Sequence, residues 1–378
     1  MARETIVFLS SKNPTSITDW SGIPYFMYQT LCKHYQVIYL ASPELKYAKL
    51  MGYYFNIVIN KLVGKKYLFD YGVILSCICG LINTLALRKV KNARFVFCPA
   101  GLSEVAFLKT KIPIVTCGDC SMLQLIDYYP SLQHVLIISK WEIAWIERRA
   151  LKKATFNFFS SRWTTDFILD QYRIRNTCSI PFGANLTNPP TTLPLKELPS
   201  NECTILFVGV DWIRKGGDFA LKIRAAIQHL GLNCKLVIIG SSPGQSELSD
   251  EGIEVYRKID KIVDRAMYEQ KFKEAHFMIL PTLADCTPIV ISEAFAFGLP
   301  VVAADTGGIS TMIEDGVNGF LLQERVPMDH AKVIVETFKN PERYHAMSEA
   351  SFKSFKTTFN WGNWMDKVND QVKQKLEA

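Results

Sequence analysis

In the first half of the chain, short apolar runs rich in Val, Ile and Phe occur at 5–10, 36–41, 94–98, 112–116, 135–139, 156–160 and 177–181. They alternate with segments of helical length. Runs of this kind read as strands buried on both faces, and their alternation with helices predicts parallel sheets covered on both sides. From 186 to 201 the periodicity stops, and Pro189, Pro190, Pro194 and Pro199 stand among Thr and Asn. That composition suits a linker better than the interior of a helix or strand. A second series follows, with strands expected at 204–209, 235–240, 253–256, 277–280 and 301–303. Helices are expected at 218–230, 263–274 and 288–297, and again towards the end. The pattern predicts an α/β chain of two Rossmann-like, doubly wound domains facing a cleft: 1–185, a linker at 186–201, and 202–358. Ligands of such sheets bind beyond the carboxyl ends of strands, which directs attention to the loops after Gly209, Gly240 and Pro281.

Length and composition fit this division. The 378 residues, 48% hydrophobic and 21% charged, describe ordinary globular protein and exceed one typical domain. Ten cysteines are spread without the density or spacing of a disulfide framework, and no signal-peptide pattern precedes the first strand; both point to a reducing cytoplasm. The longest nearly apolar stretch, 71–87, is shorter than the roughly 20 residues a membrane span needs and contains Ser76, Asn83 and Thr84, so a buried helix is expected.

Charge divides the chain unevenly. Residues 1–190 carry a net +11 and the remainder −4. Lys61, Lys65, Lys66, Arg88, Lys89 and Lys91, with the run from Arg148 to Lys153, lie near Tyr53, Tyr54, Phe55 and Tyr67. The arrangement suits peripheral contact with an anionic membrane, or simply solvated helix faces. Nucleic acid is not indicated, because no recognised binding module accompanies the charge.

The stretch from Pro281 to Pro300 carries the most chemistry. Thr287 as N-cap, Pro288 at the first helical position, and Gly298 with Pro300 as stop signals predict a helix over 288–297. The leading amides of Ile289 and Val290 would suit a pyrophosphate, although any helix start offers the same groups. Asp285 and Glu293 flank that site, two acceptors able to grip sugar or ribose hydroxyls. Earlier, Gly209 ends a strand, and the loop to Gly217 carries Arg214 and Lys215, cations suited to a diphosphate leaving group. Arg214 reads equally well as a solvated surface residue.

This segment resembles the signature of the family 4 glycosyltransferases: two acids separated by seven residues, then Ala-x-x-x-Gly-x-Pro-Val. Asp285 and Glu293 match the spacing, and Ala294, Gly298, Pro300 and Val301 fall in register. Lys215 with Gly216 matches the family's Lys-Gly pair. The resemblance implies the GT-B fold, a retaining transfer without an obligatory metal or other cofactor, and a nucleoside diphosphate sugar, UDP- or GDP-linked, as co-substrate. It implies that Asp285 contacts the transferred sugar and Glu293 the ribose, with Gly240 approaching the nucleotide and the loop 257–261 near the base. It also implies that 359–378 return to the first domain. Three positions depart from the family: Asp285 for Glu, Val210 for Arg and Gly118 for His.

In the first half, Gly22 follows the first strand where the family has a flexible Gly close to the phosphates, and Asp119 matches an acid at the active cleft. Asp119 sits within Cys117-Gly118-Asp119-Cys120, which also reads as a redox Cys-x-x-Cys or as two incidental thiols. Six histidines without ligand spacing suggest no metal site. The expected activity is glycosyl transfer to a hydroxyl of a glycan, lipid-linked saccharide or small metabolite. A GT-B-shaped phosphorylase, a sugar-nucleotide epimerase and an inactive nucleotide-sugar-binding scaffold are the alternatives.

Overall fold

A computed structural model describes residues 3–194, 196–198, 201–242, 250–261 and 263–376. The chain divides into two compact units, residues 1–180 with 364–378, and 181–363.

The first unit is built on β1 (Thr5–Ser10), β2 (Gln36–Ala41), β3 (Ala93–Pro99), β4 (Ile114–Gly118), β5 (Phe156–Phe159) and β6 (Thr177–Ser179). These form one parallel sheet in the order β2-β1-β3-β4-β5-β6. The chain runs outward from β1 to β2, then returns to β3 on the other side of β1. The loops after β1 and β3 therefore diverge and leave a crevice at the strands' carboxyl ends. The continuous apolar runs have the expected cause: β4 and β5 are buried at every position, because helices cover both faces. From Trp364 onward the last helix (Trp361–Leu376) belongs to this unit. Trp364, fully buried, sets its ring edge-on to Phe97, and Tyr35 Oη donates to Asn369 Oδ1 at 2.7 Å.

The second unit contains β7 (Glu202–Val208), β8 (Asn233–Ile239), β9 (Ile253–Tyr256), β10 (Phe277–Leu280), β11 (Val301–Ala304) and β12 (Gly319–Leu322). They form a parallel sheet in the order β12-β11-β10-β7-β8-β9, so its switch point lies between β7 and β10. Helices on both faces close two apolar clusters, one around Phe272, Phe295 and Phe297 and the other around Phe207, Phe219 and Tyr344.

Two expectations are corrected. The run 135–139 is not a strand: Val135 makes one bridge to Lys66, and a helix starts at Ile137 and continues to Lys153. A short apolar run is ambiguous by pattern alone. Here Ile143, Ile146 and Ala150 further along supply the buried helical stripe that decides the matter. β12 was not anticipated, its four residues being too few to stand out.

The Pro-rich stretch 186–201 lies, in its described residues, along the second unit; Pro199 is outside them. Leu186 joins that unit's core. The Lys196 ammonium is buried and donates to the carbonyls of Phe272 at 2.7 Å and Ala275 at 2.6 Å, at the end of the helix Arg265–Glu274.

Candidate functional site

The loops after β7 and β10 meet at the switch point of the second unit. Gly209 ends β7, and a Cβ there would come within 2.7 Å of Lys215 Cγ, so the glycine makes room for the lysine stem to lie along the strand end. Lys215 closes a single turn of helix (Trp212–Lys215) whose N-cap Asp211 accepts from the Arg214 amide at 3.1 Å. Gly216 then adopts φ +81°, and a side chain there would meet Pro281 O at 2.2 Å. Only glycine lets the chain turn this tightly against the end of β10.

This packing brings both cations to one acid. Lys215 Nζ donates to Asp285 Oδ2, and Arg214 Nη1 lies 3.8 Å from the same oxygen. Arg214 Nη1 also donates to Ala284 O at 2.8 Å, and the Arg214 carbonyl accepts from the Leu283 amide at 2.7 Å. Arg214 is therefore built into the site rather than solvated apart from it. Val210, in the position where the resemblance puts Arg, is 82% exposed.

The helix after Asp285 spans Ile289–Ala296, and its N-cap is Pro288, with ψ 105°. The cap is thus displaced by one residue from the expected Thr287, and Pro288 itself makes no side-chain capping bond. Pro288 has a φ of −70° compatible with a helix, but its extended ψ keeps it out of the helix and makes it the cap. The amides of Ile289 and Val290 remain the first two of the helix, without intrahelical acceptors. Gly298 ends the helix in the left-handed region, with φ +60°.

Glu293 lies one turn inside this helix and is fully buried. Lys261 Nζ donates to its Oε1 at 2.5 Å and Tyr268 Oη to its Oε2 at 2.6 Å, while the Lys261 ammonium stands 5.1 Å from the Tyr268 ring centre. Burial, then the Glu293 charge, pushes the Tyr268 hydroxyl pKa up, which keeps it a donor. Gly240, with φ +95°, ends β8 close to Gly209 O. Pro243, beyond it, lies outside the described residues.

In the first unit, the carboxyl ends of β1, β3 and β4 enclose a cavity of about 320 Å³, walled by Lys12, Trp20, Tyr71, Ser103, Asp119 and Glu147 among others. The loop after β1 is bent through three successive left-handed residues, Trp20, Ser21 and Gly22, with φ 45°, 57° and 82°. Two of them are not glycine, a local cost that the surrounding contacts must offset. One such contact is Trp20 Nε1 donating to Asp119 Oδ2 at 3.1 Å, which joins the Gly22 loop to Asp119.

Glu147 fixes the segment after Asp119. It accepts from Ser121 Oγ at 2.6 Å, the Met122 amide at 2.6 Å and Tyr172 Oη at 2.7 Å. Burial nevertheless raises its pKa, and raises that of Glu104 nearby, which accepts from Ser11 Oγ at 2.8 Å. Tyr71 is pushed up to about 12, mainly by burial. Cys117 is buried in β4 with its pKa raised, and Cys120 Sγ donates to Asp119 Oδ1. Cys117, buried in a strand with its thiol pKa raised, lacks the lowered pKa and the access that a redox thiol needs.

The structure thus gathers Gly209, Arg214, Lys215 and Asp285 at one point of the second unit, and ties the Gly22 loop to Asp119 in the first. It also brings in residues that sequence reasoning passed over. Tyr268 and Glu147 give no motif, and their only signal is the need of a buried carboxylate for donors. Arg325, which donates to Pro281 O at 2.5 Å and covers the Phe219 ring, lies far along the chain from either loop.

Residues 202–340, within the second unit, match the profile of the family described as Glycosyl transferases group 1. An uncharacterized glycosyltransferase of Haemophilus influenzae is 29% identical over 171 residues, covering 44% of this chain and 48% of that protein. A D-inositol 3-phosphate glycosyltransferase of Thermobifida fusca is 30% identical over 168 residues, covering 40% and 38%. The chain spans less than half the length of these curated relatives. Among solved structures, a sucrose-phosphate synthase from Thermosynechococcus elongatus superposes with a TM-score of 0.68 at 16% identity, over 98% of this chain and 99% of that one. A lipopolysaccharide outer core galactosyltransferase gives 0.63 at 13% identity, over 98% and 99%. The fold is GT-B, with two Rossmann-like units.

Proposed function

We propose that this chain is a glycosyltransferase that moves a sugar, with retention of its anomeric configuration as in family 4, from a nucleoside diphosphate sugar to a hydroxyl acceptor. The observation that carries the reading is the convergence of Lys215 and Arg214 on Asp285 at the switch point of the second unit. It is supported by the group 1 profile over the same residues.

In this reading the diphosphate competes with Asp285 for the two cations and takes the Ile289 and Val290 amides as further donors. Charge grows on the diphosphate as the bond from the sugar C1 to its oxygen breaks with the electron pair. Cations already held in place stabilise that charge without reorganisation. The acceptor oxygen bonds to C1 on the face the diphosphate leaves, and its proton passes to the departing phosphate oxygen. Asp285, once its cations turn to the phosphate, accepts from sugar hydroxyls. Glu293, covered by Lys261 and held by Tyr268, accepts from the ribose once the partly exposed Lys261 side chain moves aside. The cavity of the first unit, with Asp119 on its wall, receives the acceptor. No protein-bound cofactor or metal enters the scheme, and a UDP- or GDP-sugar is the expected donor.

Calorimetric titration with UDP, GDP, ADP and TDP and their sugars tests this reading. Saturable binding of one nucleotide, weakened in Lys215→Ala, supports it. Turnover that needs inorganic phosphate and no nucleotide would move the assignment to a phosphorylase. Donor consumption without an acceptor would indicate an epimerase, and binding without turnover a scaffold.

A further inference from the structure

The helix Lys46–Val63 packs in the reverse of the usual sense. Of its described residues only Gly52 is buried, and the half-buried positions Ala48, Asn56 and Ile59 share Gly52's side. A Cβ on Gly52 would come within 2.4 Å of the Phe69 ring, and Asn56 Oδ1 accepts from the Tyr67 amide at 2.7 Å. The helix therefore meets the body of the first unit mainly through small and polar residues, Ala48, Gly52 and Asn56, with Ile59 beside them. The opposite side carries Tyr47, Leu50, Tyr54, Ile57 and Val58, at spacings of one, three and four residues, each between 49% and 87% exposed. An ordinary surface helix turns these side chains inward.

The polar surroundings of this stripe are predominantly of one sign, with Glu44, 3.5 Å from Lys46, as an acid at its start. Residues 46–66 contain five lysines and no acid. Lys46 and Lys49 stand at one end of the stripe, Lys61 and Lys65 at the other. A contiguous apolar face of this kind marks a binding surface. Its flanking charge selects among occupants: a second copy of this chain would set lysines against lysines, whereas an anionic lipid surface would pair with them and take up the apolar side chains. No helix among the described residues is long and apolar enough to cross a membrane, so insertion would be parallel to the surface.

We propose that the helix Lys46–Val63 docks the first unit onto a bilayer containing anionic lipid, lying in the interfacial plane with Leu50, Tyr54 and Ile57 among the acyl chains and the lysines at the headgroups. The surface is separate from the nucleotide site and stands whether or not the transferase reading holds.

Co-sedimentation of the full chain with vesicles tests the proposal. Binding is expected to vesicles of equal parts phosphatidylcholine and phosphatidylglycerol at low salt, and to be far weaker with phosphatidylcholine alone. Leu50→Glu with Tyr54→Glu, and separately Lys49→Glu with Lys61→Glu and Lys65→Glu, each lower the affinity by more than about tenfold. Their melting temperatures and nucleotide binding should stay at the wild-type values, since all five side chains face solvent. Absence of binding to the anionic vesicles, or equal binding by the variants, overturns the proposal. So does a wild-type dimer in sedimentation velocity that the Leu50/Tyr54 variant converts to monomer, which would give the face to a second copy.

Discussion

The two parallel sheets share an architecture, yet the acids at their carboxyl ends are held by different chemistry. In the second unit Asp285 meets Lys215 and Arg214, and Glu293 meets Lys261. In the first, Asp119 is held by an indole and a thiol, and Glu147 by hydroxyls and an amide. A cation paired with a carboxylate can be shared with an incoming anion, so the second unit suits a phosphorylated ligand. Carboxylates that take hydroxyl, amide and indole donors keep lone pairs that an acceptor's hydroxyls can use, with Lys12 on the same cavity wall.

The contrast is broken most severely at Lys215. Lys215→Ala removes the cation that Asp285 holds and that the proposed leaving group would use, and turnover should fall by about 10² to 10³-fold, measured as kcat with the donor found by calorimetry. A loss below tenfold would mean that the cation pairing is structural.

Glu293→Ala should cost the second unit about 3 kcal/mol in denaturant titration, since it strands Lys261 and the buried Tyr268 hydroxyl without their acceptor. Glu293→Gln, which keeps an acceptor for Tyr268, should recover part of that loss.

In the first unit the same kind of change should act on the acceptor alone. Asp119→Asn keeps the shape and an acceptor for Trp20 but removes the charge. It is expected to raise the acceptor KM by about tenfold, the scale of one hydrogen bond to a charged group, with nucleotide affinity unchanged. Weakened nucleotide binding in this variant would erase the division of labour.

The mildest test is pH. His276 is buried, its Nδ1 accepting from the Thr204 amide, and desolvation lowers its pKa from 6.5 to about 4. The unfolded chain binds this proton first, so the stability is complete above pH 6.5 and is lost as pH falls towards 4. Glu104 and Glu147 are raised by burial, so their contribution has the opposite sign, present below the unfolded carboxyl pKa and lost as pH rises through their folded values. Hydrogen exchange on acidification should therefore show protection falling in the second unit, while these two acids favour the first. The fall should be flattened in His276→Gln.

Much of this was legible in residue order. Apolar runs buried on both faces fixed the two sheets, and β1, β2, β9 and β10 lie where the pattern puts them, because a buried strand has little choice of residue. Pro288 and Gly298 announced the ends of a helix through backbone restrictions that act within one residue, accurate to a position at the start. Asp285, Glu293 and Lys215 stood in a spaced motif. The sequence by itself thus determined the fold class and the charge division, and singled out Asp285, Glu293 and Lys215 as candidates. Tertiary structure alone decided which groups meet. Lys261 and Tyr268 reach Glu293 across 32 and 25 residues, Trp20 reaches Asp119 across 99, and Gly52 turns an apolar helix outward by letting Phe69 fill its inner side. Local patterns record the backbone's own preferences, whereas partners distant in the chain are chosen by packing, for which no single stretch of sequence carries a period.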